Sequence, residues 1–247
     1  YKIKELKKLI FYMIEFAEAS KLALNLILSL DADILEIVIL SLKVSIFALA
    51  IACIIGFSLG SLLASNKFYG RGIILIIINS LMALPPVVVG LVVYMALSKS
   101  GPLGWLNILY TPSAMIVAQS IIITPIVLAL SRQVIEDIHN EYYDYFKSLN
   151  LTKLQIVKSL IWDARYSLIT VSLAGFGRGI AEVGAVIIVG GNINHFTRVM
   201  TTSIALETSM GNLPFALALG IILLLISLSV NSLVMALNLT SKKYAFG

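Results

Sequence analysis

The chain has 247 residues, 59% of them hydrophobic and only 13% charged, with a net charge of +5. Soluble domains carry about 25% charged residues, so a mean hydropathy of +0.98 excludes an ordinary soluble domain and argues for an integral membrane protein. The basic excess points to cytoplasmic loops and not to nucleic acid, and the lone Cys53, inside an apolar run, excludes an intrachain disulfide and a cysteine-cluster metal site.

The predicted fold class is all-α. Several runs approach about 20 apolar residues, enough to cross about 30 Å of hydrocarbon. The alternation of a transmembrane β-barrel is missing. Residues 1–33 read as an N-terminal amphipathic segment. Lys2, Lys4, Lys7 and Lys8 favour the cytoplasm and a sixth span. Glu15, Glu18 and Lys21 make a crossing of Leu9–Leu30 expensive and suit an interfacial helix instead. Five spans are preferred and a sixth stays open. The chain starts without methionine, and Met13 offers a natural start, so whether residues 1–12 are native is open too. The segment is too charged in its middle for a cleaved signal peptide.

Residues 34–240 read as one transmembrane domain. Span one is Val44–Ala64, on a helix starting near Ile34; Gly56 and Gly60 form a small-xxx-small pair for close helix packing. Gly56-Phe57-Ser58-Leu59-Gly60 also matches a nucleophile elbow. That motif needs a strand-turn-helix setting and a histidine base, and His139 and His195 fall in loops on opposite sides. No catalytic residue is therefore assigned. Span two, Ile73–Leu97, contains Ala83-Leu84-Pro85-Pro86, where the helix must kink or break. Membranes accept that only where protein or a water-filled cavity meets the freed carbonyls, so Pro85 and Pro86 mark either a structural kink or a helix lining a path. Span three is Pro112–Leu130. Its Gln119, Ser120 and Thr124, with Ser80 of span two, are candidates for path lining or for helix bridging.

A polar loop, residues 131–166, follows with Arg132, Lys147, Lys153, Lys158 and Arg165 among acidic neighbours. Glu141–Leu149 is predicted helical, with Tyr142, Tyr145, Phe146 and Leu149 on one face. Asn150 suits a helix end. Thr152-Lys153-Leu154-Gln155 is a capping box opening a second helix. Such a short helix with exposed aromatics suits a groove on a partner; resting on the membrane surface is the other reading. Span four, Ser167–Gly190, carries Arg178 and Glu182, four apart on one helix face. A lone charge near mid-bilayer costs at least about 2.5 kcal/mol, so the two either lock helices together or border a polar path. The glycines around them lack the strand and spacing of a dinucleotide fingerprint. The outer loop Gly191–Asn212 offers donors on Asn192, Asn194, Thr197, Arg198, Thr201 and Thr202, and span five is Pro214–Leu237. Lys67, Arg71, the five basic residues of the loop, Lys242 and Lys243 share one side, against Lys99 and Arg198 on the other. That side is cytoplasmic, and the C-terminus lies inside.

The loop resembles the "EAA" coupling motif of binding-protein-dependent ABC importer permeases. Asp144 takes the acidic place, Tyr145-Phe146 the small pair and Asn150 the glycine, while Trp162-Asp163 stands where Leu-Pro is expected. Bulky aromatics replace the family's alanines. Residues 174–185, Val189-Gly190-Gly191-Asn192-Ile193, Thr197–Thr202, Ile204–Thr208 and the approach from Ser29 to Ser45 look like the tungstate-type branch of the molybdate/tungstate permeases. The resemblance covers about Met13 to Leu237.

It implies a type I ABC importer transmembrane domain in the plasma membrane, working as a homodimer with the path at its interface. A cytoplasmic ABC ATPase dimer holding ATP and Mg docks on the loop, through Glu141, Tyr142, Asp144, Tyr145, Phe146, Leu149, Asn150 and Thr152. An extracytoplasmic oxyanion-binding protein docks on the outer face, near Asn192, Asn194, Thr197 and Arg198. The permease itself has no Walker motif, no cofactor and no metal. The expected cargo is tungstate, with molybdate or sulfate as alternatives. An ion-coupled secondary transporter using Arg178 and Glu182 as a relay would show inverted repeats, and five spans around one large loop show none.

Overall fold

A computed structural model describes residues 17–29, 31–149 and 151–245. Lys2, Lys4, Lys7, Lys8, Met13, Glu15 and Asn150 lie outside the described residues. Every regular element among those described is helical. Helix α1 covers residues 17–28, and α2 covers Ala32–Ser65. The carboxylate of Asp31 opens α2 by accepting the N–H groups of Asp33 (3.1 Å) and Ile34 (3.2 Å). Helices α3 (Arg71–Met82) and α4 (Pro86–Leu97) come next, and a single 3-10 turn at Gly104–Leu106 precedes α5 (Pro112–Glu141). Then follow α6 (Tyr143–Ser148), α7 (Lys153–Asp163), α8 (Arg165–Ile180), α9 (Gly184–Gly190), α10 (Met200–Met210) and α11 (Leu213–Ala245).

Among the described residues three helices, α2, α5 and α11, are each long and apolar enough to cross a membrane. Two further spans form only if bent pairs count as one: α3 with α4, bent by 98°, and α8 with α9, bent by 59°. The total of up to five agrees with the count preferred from sequence. The first bend was expected. Each proline disfavours helical geometry in the residue before it, and Pro85 is extended (φ −64°, ψ 123°) while Pro86 opens α4. The second bend was not expected, because span four reads as continuous and has no proline.

The α2–α5 seam is the spine of the bundle. Ala48, Ala52, Gly56, Gly60 and Ala64 put a small or absent side chain on one face of α2 every four residues, and all are buried. A Cβ added to Gly56 would lie 2.8 Å from Val127 Cγ1 and 3.0 Å from the backbone N of Leu128, and the Ser131 hydroxyl donates to Gly56 O (3.0 Å). The two helices therefore touch through backbone, the packing reading of the glycine pair. One core group lies to one side, built from Val89, Val93, Met115, Val186 and Val189 of α4, α5 and α9. Another joins Ala23 of α1, Ile34 and Ile37 of α2, Phe176 and Ile180 of α8, Met200 of α10, and Leu219 of α11. In α1, Ala19 and Ala23 are buried while Leu22, Leu24 and Leu28 are exposed. Ile73, Ile76 and Ile77 on α3, and Leu224, Leu225 and Leu228 on α11, face outward as bands suited to lipid.

One boundary needs correction. Span three does not end at Leu130 with a loop beginning at Ser131. Helix α5 continues unbroken to Glu141, projecting about 16 Å further for those 11 residues. Part of its charge is paired and part of its apolar surface is covered, which lets the helix run on. Arg132 and Glu136 form an i,i+4 ion pair, Ser131 and Ile135 are fully buried, and Ile138 packs on the same cluster.

Candidate functional site

The first candidate site is the end of the bundle that carries α6. The Tyr142 turn separates α5 from α6, and α6 is six residues long. Thr152 opens α7 as predicted: Gln155 N–H donates to Thr152 Oγ1 (3.4 Å), and Thr152 N–H to Gln155 Oε1 (2.9 Å). Tyr142, Tyr145 and Leu149 are exposed, Tyr145 at 61%. Phe146, predicted on the same outward face, is only 5% exposed. It joins a core of Ala64, Ile135, Leu160, Ala164 and Leu168 from α2, α5, α7 and α8, and stacks on His139 at 6.4 Å between ring centroids. Four aromatics near one short helix cannot all face water at this cost in apolar area, and Phe146, without a polar handle, takes the inside. Glu141, Asp144 and Thr152 lie on the exposed surface.

A tie that sequence reasoning missed stiffens this end. Arg71 bridges Glu136 on α5 (Nη2 to Oε1, 2.7 Å) and the carbonyl of Leu63 on α2 (2.9 Å), while Arg132 holds the second oxygen of Glu136. The Arg132–Glu136 spacing was visible in sequence. Arg71 lies 65 positions away, and nothing local marks it.

The second candidate site is the centre, where the two bent pairs meet. A Cβ added to Gly184 would lie 2.7 Å from Val87 Cγ2, and one added to Gly90 would lie 2.7 Å from the Cα of Ala185. The first turns of α4 and α9 are thus packed backbone to backbone beside both breaks. At the second break Arg178 and Glu182 pair at 2.6 Å. The other oxygen of Glu182 accepts the N–H of Ala185 (3.1 Å) and so opens α9, the competition with regular helix expected of a carboxylate near backbone N–H groups. The loosened carbonyls find side chains: Gln119 Nε2 donates to Gly179 O (2.9 Å), and the Thr201 hydroxyl to Glu182 O (2.8 Å). Glu182 is 3% exposed and Arg178 is 33% exposed. Ala83, Leu84 and Pro85 of the first break are exposed.

The remaining predicted path residues divide. Gln119 and Ser120 are buried helix bridges, Ser120 donating to Ile116 O (2.7 Å) and to Ala48 O of α2 (3.4 Å). Thr124 bonds its own helix at Ser120 O (2.6 Å), one turn back from the freed carbonyls near Pro125. Ser80 is exposed and bonds Ile76 O (2.8 Å). Ser80 and Pro85 are exposed, and Pro86, Thr124 and Arg178 are half-buried, while Gln119 and Ser120 are buried inside the subunit.

In the outer loop Thr197 is buried and works inward, donating to Gly190 O (2.6 Å) and accepting from Ile193 N (2.9 Å). It shapes the loop and is not free to touch a partner. Asn192 and His195 adopt left-handed backbone, φ 50° and 54°. Asn194 is exposed, while Asn192 Oδ1 and Arg198 Nε are buried with no hydrogen-bond partner among the described residues. His195 Nδ1 meets Glu36 Oε2 at 2.8 Å, tying this loop to the start of α2. That hydrogen bond, and the charge of Glu36, raise the His195 pKa above its ordinary value, with Asp33 adding and Arg198 opposing.

A multi-pass helical bundle with two broken spans meeting at its centre, and a short aromatic helix held out from one end, defines a membrane component of a transport machine. The chain belongs to the family of binding-protein-dependent transport system inner membrane components, whose model matches residues 56–240. It is 41% identical over 222 residues to the tungstate uptake system permease protein TupB of Peptoclostridium acidaminophilum, covering 90% of this chain and 97% of that one. It is 38% identical over 205 residues to a probable anion ABC transporter permease protein of Haloferax volcanii (81% and 88%). It is 39% identical over 165 residues to the TupB of Campylobacter jejuni (67% and 69%).

Proposed function

We propose that this chain is the permease subunit of an ATP-driven, binding-protein-dependent importer of an oxyanion, tungstate first. Two copies form the membrane body in the plasma membrane, with the C-terminus inside. A cytoplasmic ABC ATPase dimer, which carries the ATP and Mg, grips α6 and the neighbouring turns. An extracytoplasmic oxyanion-binding protein delivers cargo to the loop around Asn192, Asn194 and Arg198, where Asn194 is exposed. Tungstate is preferred because two of the relatives above are named for its uptake and the third for an anion.

The observation that carries this reading is the division of labour at α6. Phe146 fastens the helix to α2, α5, α7 and α8, while Tyr142, Tyr145 and Leu149 stay outside. A push on the exposed face therefore reaches three spans through one buried ring. The breaks at 83–85 and 181–183 are where such a push can be absorbed, because hinges sit at element ends.

The test is uptake of tungstate, molybdate and sulfate into vesicles carrying the permease, with the ATPase and binding protein present or omitted. The expected result is tungstate uptake that needs ATP and both partners. Uptake driven by an ion gradient without the ATPase defeats this reading, and a preference for molybdate or sulfate reassigns the cargo within it.

A further inference from the structure

We infer that Arg178 is a way-station for the oxyanion at the membrane centre, and that Glu182 is the built-in counter-charge that keeps this station weak. The inference rests on the proposed transport reading and names the group that handles the cargo.

Arg178 lies 13 residues into α8 from Arg165, about 20 Å along the helix. A guanidinium at that depth is not left facing hydrocarbon; such groups face a partner or a water-filled cavity. Yet Arg178 is one-third exposed in the subunit. Its surroundings are open: Ala174, Gly177 and Ala181 are exposed, and a Cβ added to Gly177 would meet nothing within 4 Å. The break at Ala83-Leu84-Pro85 is exposed as well, and its backbone joins α4, whose first turn packs on Gly184. Irregular backbone in a membrane is tolerated only against protein or water. Charge and broken backbone thus both require an aqueous or protein-covered boundary on this part of the subunit.

The donor count supplies the ligand. A guanidinium has five N–H donors in a planar fork suited to oxyanions. Among the described residues Arg178 makes one hydrogen bond, from Nη1 to Glu182 Oε2. Glu182 is fully engaged, one oxygen on Arg178 and the other on Ala185 N–H. The carboxylate orients the arginine and leaves donors free. A tetrahedral dianion can take those donors without displacing Glu182, and the fixed negative charge beside it lowers the affinity. Conduction needs this combination, since a site must be entered and also left.

The experiment uses the whole permease–ATPase complex in nanodiscs with tungstate as the probe. Glu182→Gln removes the counter-charge and keeps a carbonyl oxygen for Ala185 N–H. It is expected to bind tungstate about tenfold tighter than wild type, or more. Adding Arg178→Gln returns binding to background, and adding Arg178→Lys, which keeps charge but not the fork, gives an intermediate value. With the binding protein and ATP in vesicles, Arg178→Gln alone cuts uptake about 10- to 100-fold, the size of a lost charged hydrogen bond.

Tungstate binding unaffected by Glu182→Gln, or retained by the double variant, overturns the inference. So does uptake by the Arg178→Gln complex within about twofold of wild type. Wild-type complex without ATP-dependent uptake defeats the transport reading instead, so the two failures are told apart.

Discussion

At one end of the bundle, α6 hangs from one buried ring, Phe146, and presents Tyr142, Tyr145 and Leu149 outward. At the centre, the two broken spans also abut closely, but the second break is held by side chains that catch loose backbone: Gln119 on Gly179 O, Thr201 on Glu182 O, Glu182 on Ala185 N–H. An apolar anchor moves as a unit with what it packs on. A set of polar ties has discrete partners that can be exchanged. Under the proposed function the end receives a push, and the centre changes shape when the push arrives.

The contrast at the end is broken most severely by Phe146→Ala. Truncating a buried Phe costs about 3–5 kcal/mol, and here the loss falls on the α6–α7 anchor. The expected outcome is a permease whose α6–α7 amides lose hydrogen-exchange protection and whose ATPase no longer co-purifies. Retained protection would show that the ring is not the anchor.

Gly90→Val attacks the centre with a smaller effect. Its Cβ would start 2.7 Å from the Ala185 Cα, and such overpacking costs about 1–3 kcal/mol. Thermal unfolding in detergent should fall accordingly. Uptake should fall further than ATPase binding, because the damage is at the breaks and not at α6. Equal loss of both would erase the distinction between the two regions.

Leu149→Asp sharpens the end without harming the fold. The side chain is half exposed, so the permease's own stability should change by no more than about 0.5 kcal/mol, while ATPase co-purification is lost. Co-purification at wild-type yield would remove α6 from the docking surface.

These two regions were unequally legible in the sequence. The α6–α7 segment reads well because its signals are local: the aromatic spacing, and Thr152 with Gln155 three positions on. What spacing could not decide is which ring turns inward, since Tyr142, Tyr145 and Phe146 share a face and only the pocket among Ala64, Ile135 and Leu160 selects one. The continuation of α5 past Leu130 was hidden by its charges, which are neutralised through Arg71, 65 residues before Glu136. At the centre the Pro85-Pro86 break announces itself, because proline is a local defect. The break at 181–183 has no proline, only the helix-weakening glycines Gly177, Gly179 and Gly184 around it. Gln119 and Thr201, distant in sequence, supply the donors to its carbonyls, and no window of span four shows those. The Arg178–Glu182 spacing did point to the spot, for a different reason.

The smallest predicted effect concerns the loop after α9, which shares the logic of the centre: a segment with left-handed residues held by polar ties. His195 sits at φ 54° and bonds Glu36 across 159 positions. Its pKa is raised first by that hydrogen bond, then by the charges of Glu36 and Asp33, against Arg198 and slight desolvation. A raised pKa means the folded loop holds the proton more tightly than an unfolded chain. The tie is therefore fully present below the ordinary histidine value near 6.5, and it fades as pH rises through the higher folded value. The chain has two histidines, so ring-labelled histidine resolves both in an NMR titration, with His195→Gln for assignment. The His195 midpoint should lie above 6.5 and drop toward it in Glu36→Gln, while that of His139, far away on α5, stays put. A midpoint at or below 6.5 in the wild type, or one indifferent to Glu36, would mean that the left-handed turn is held by Thr197 alone, through its bonds to Gly190 and Ile193. The loop after α9 would then resemble the α6 end, fixed by one buried residue, more than it resembles the exchangeable centre.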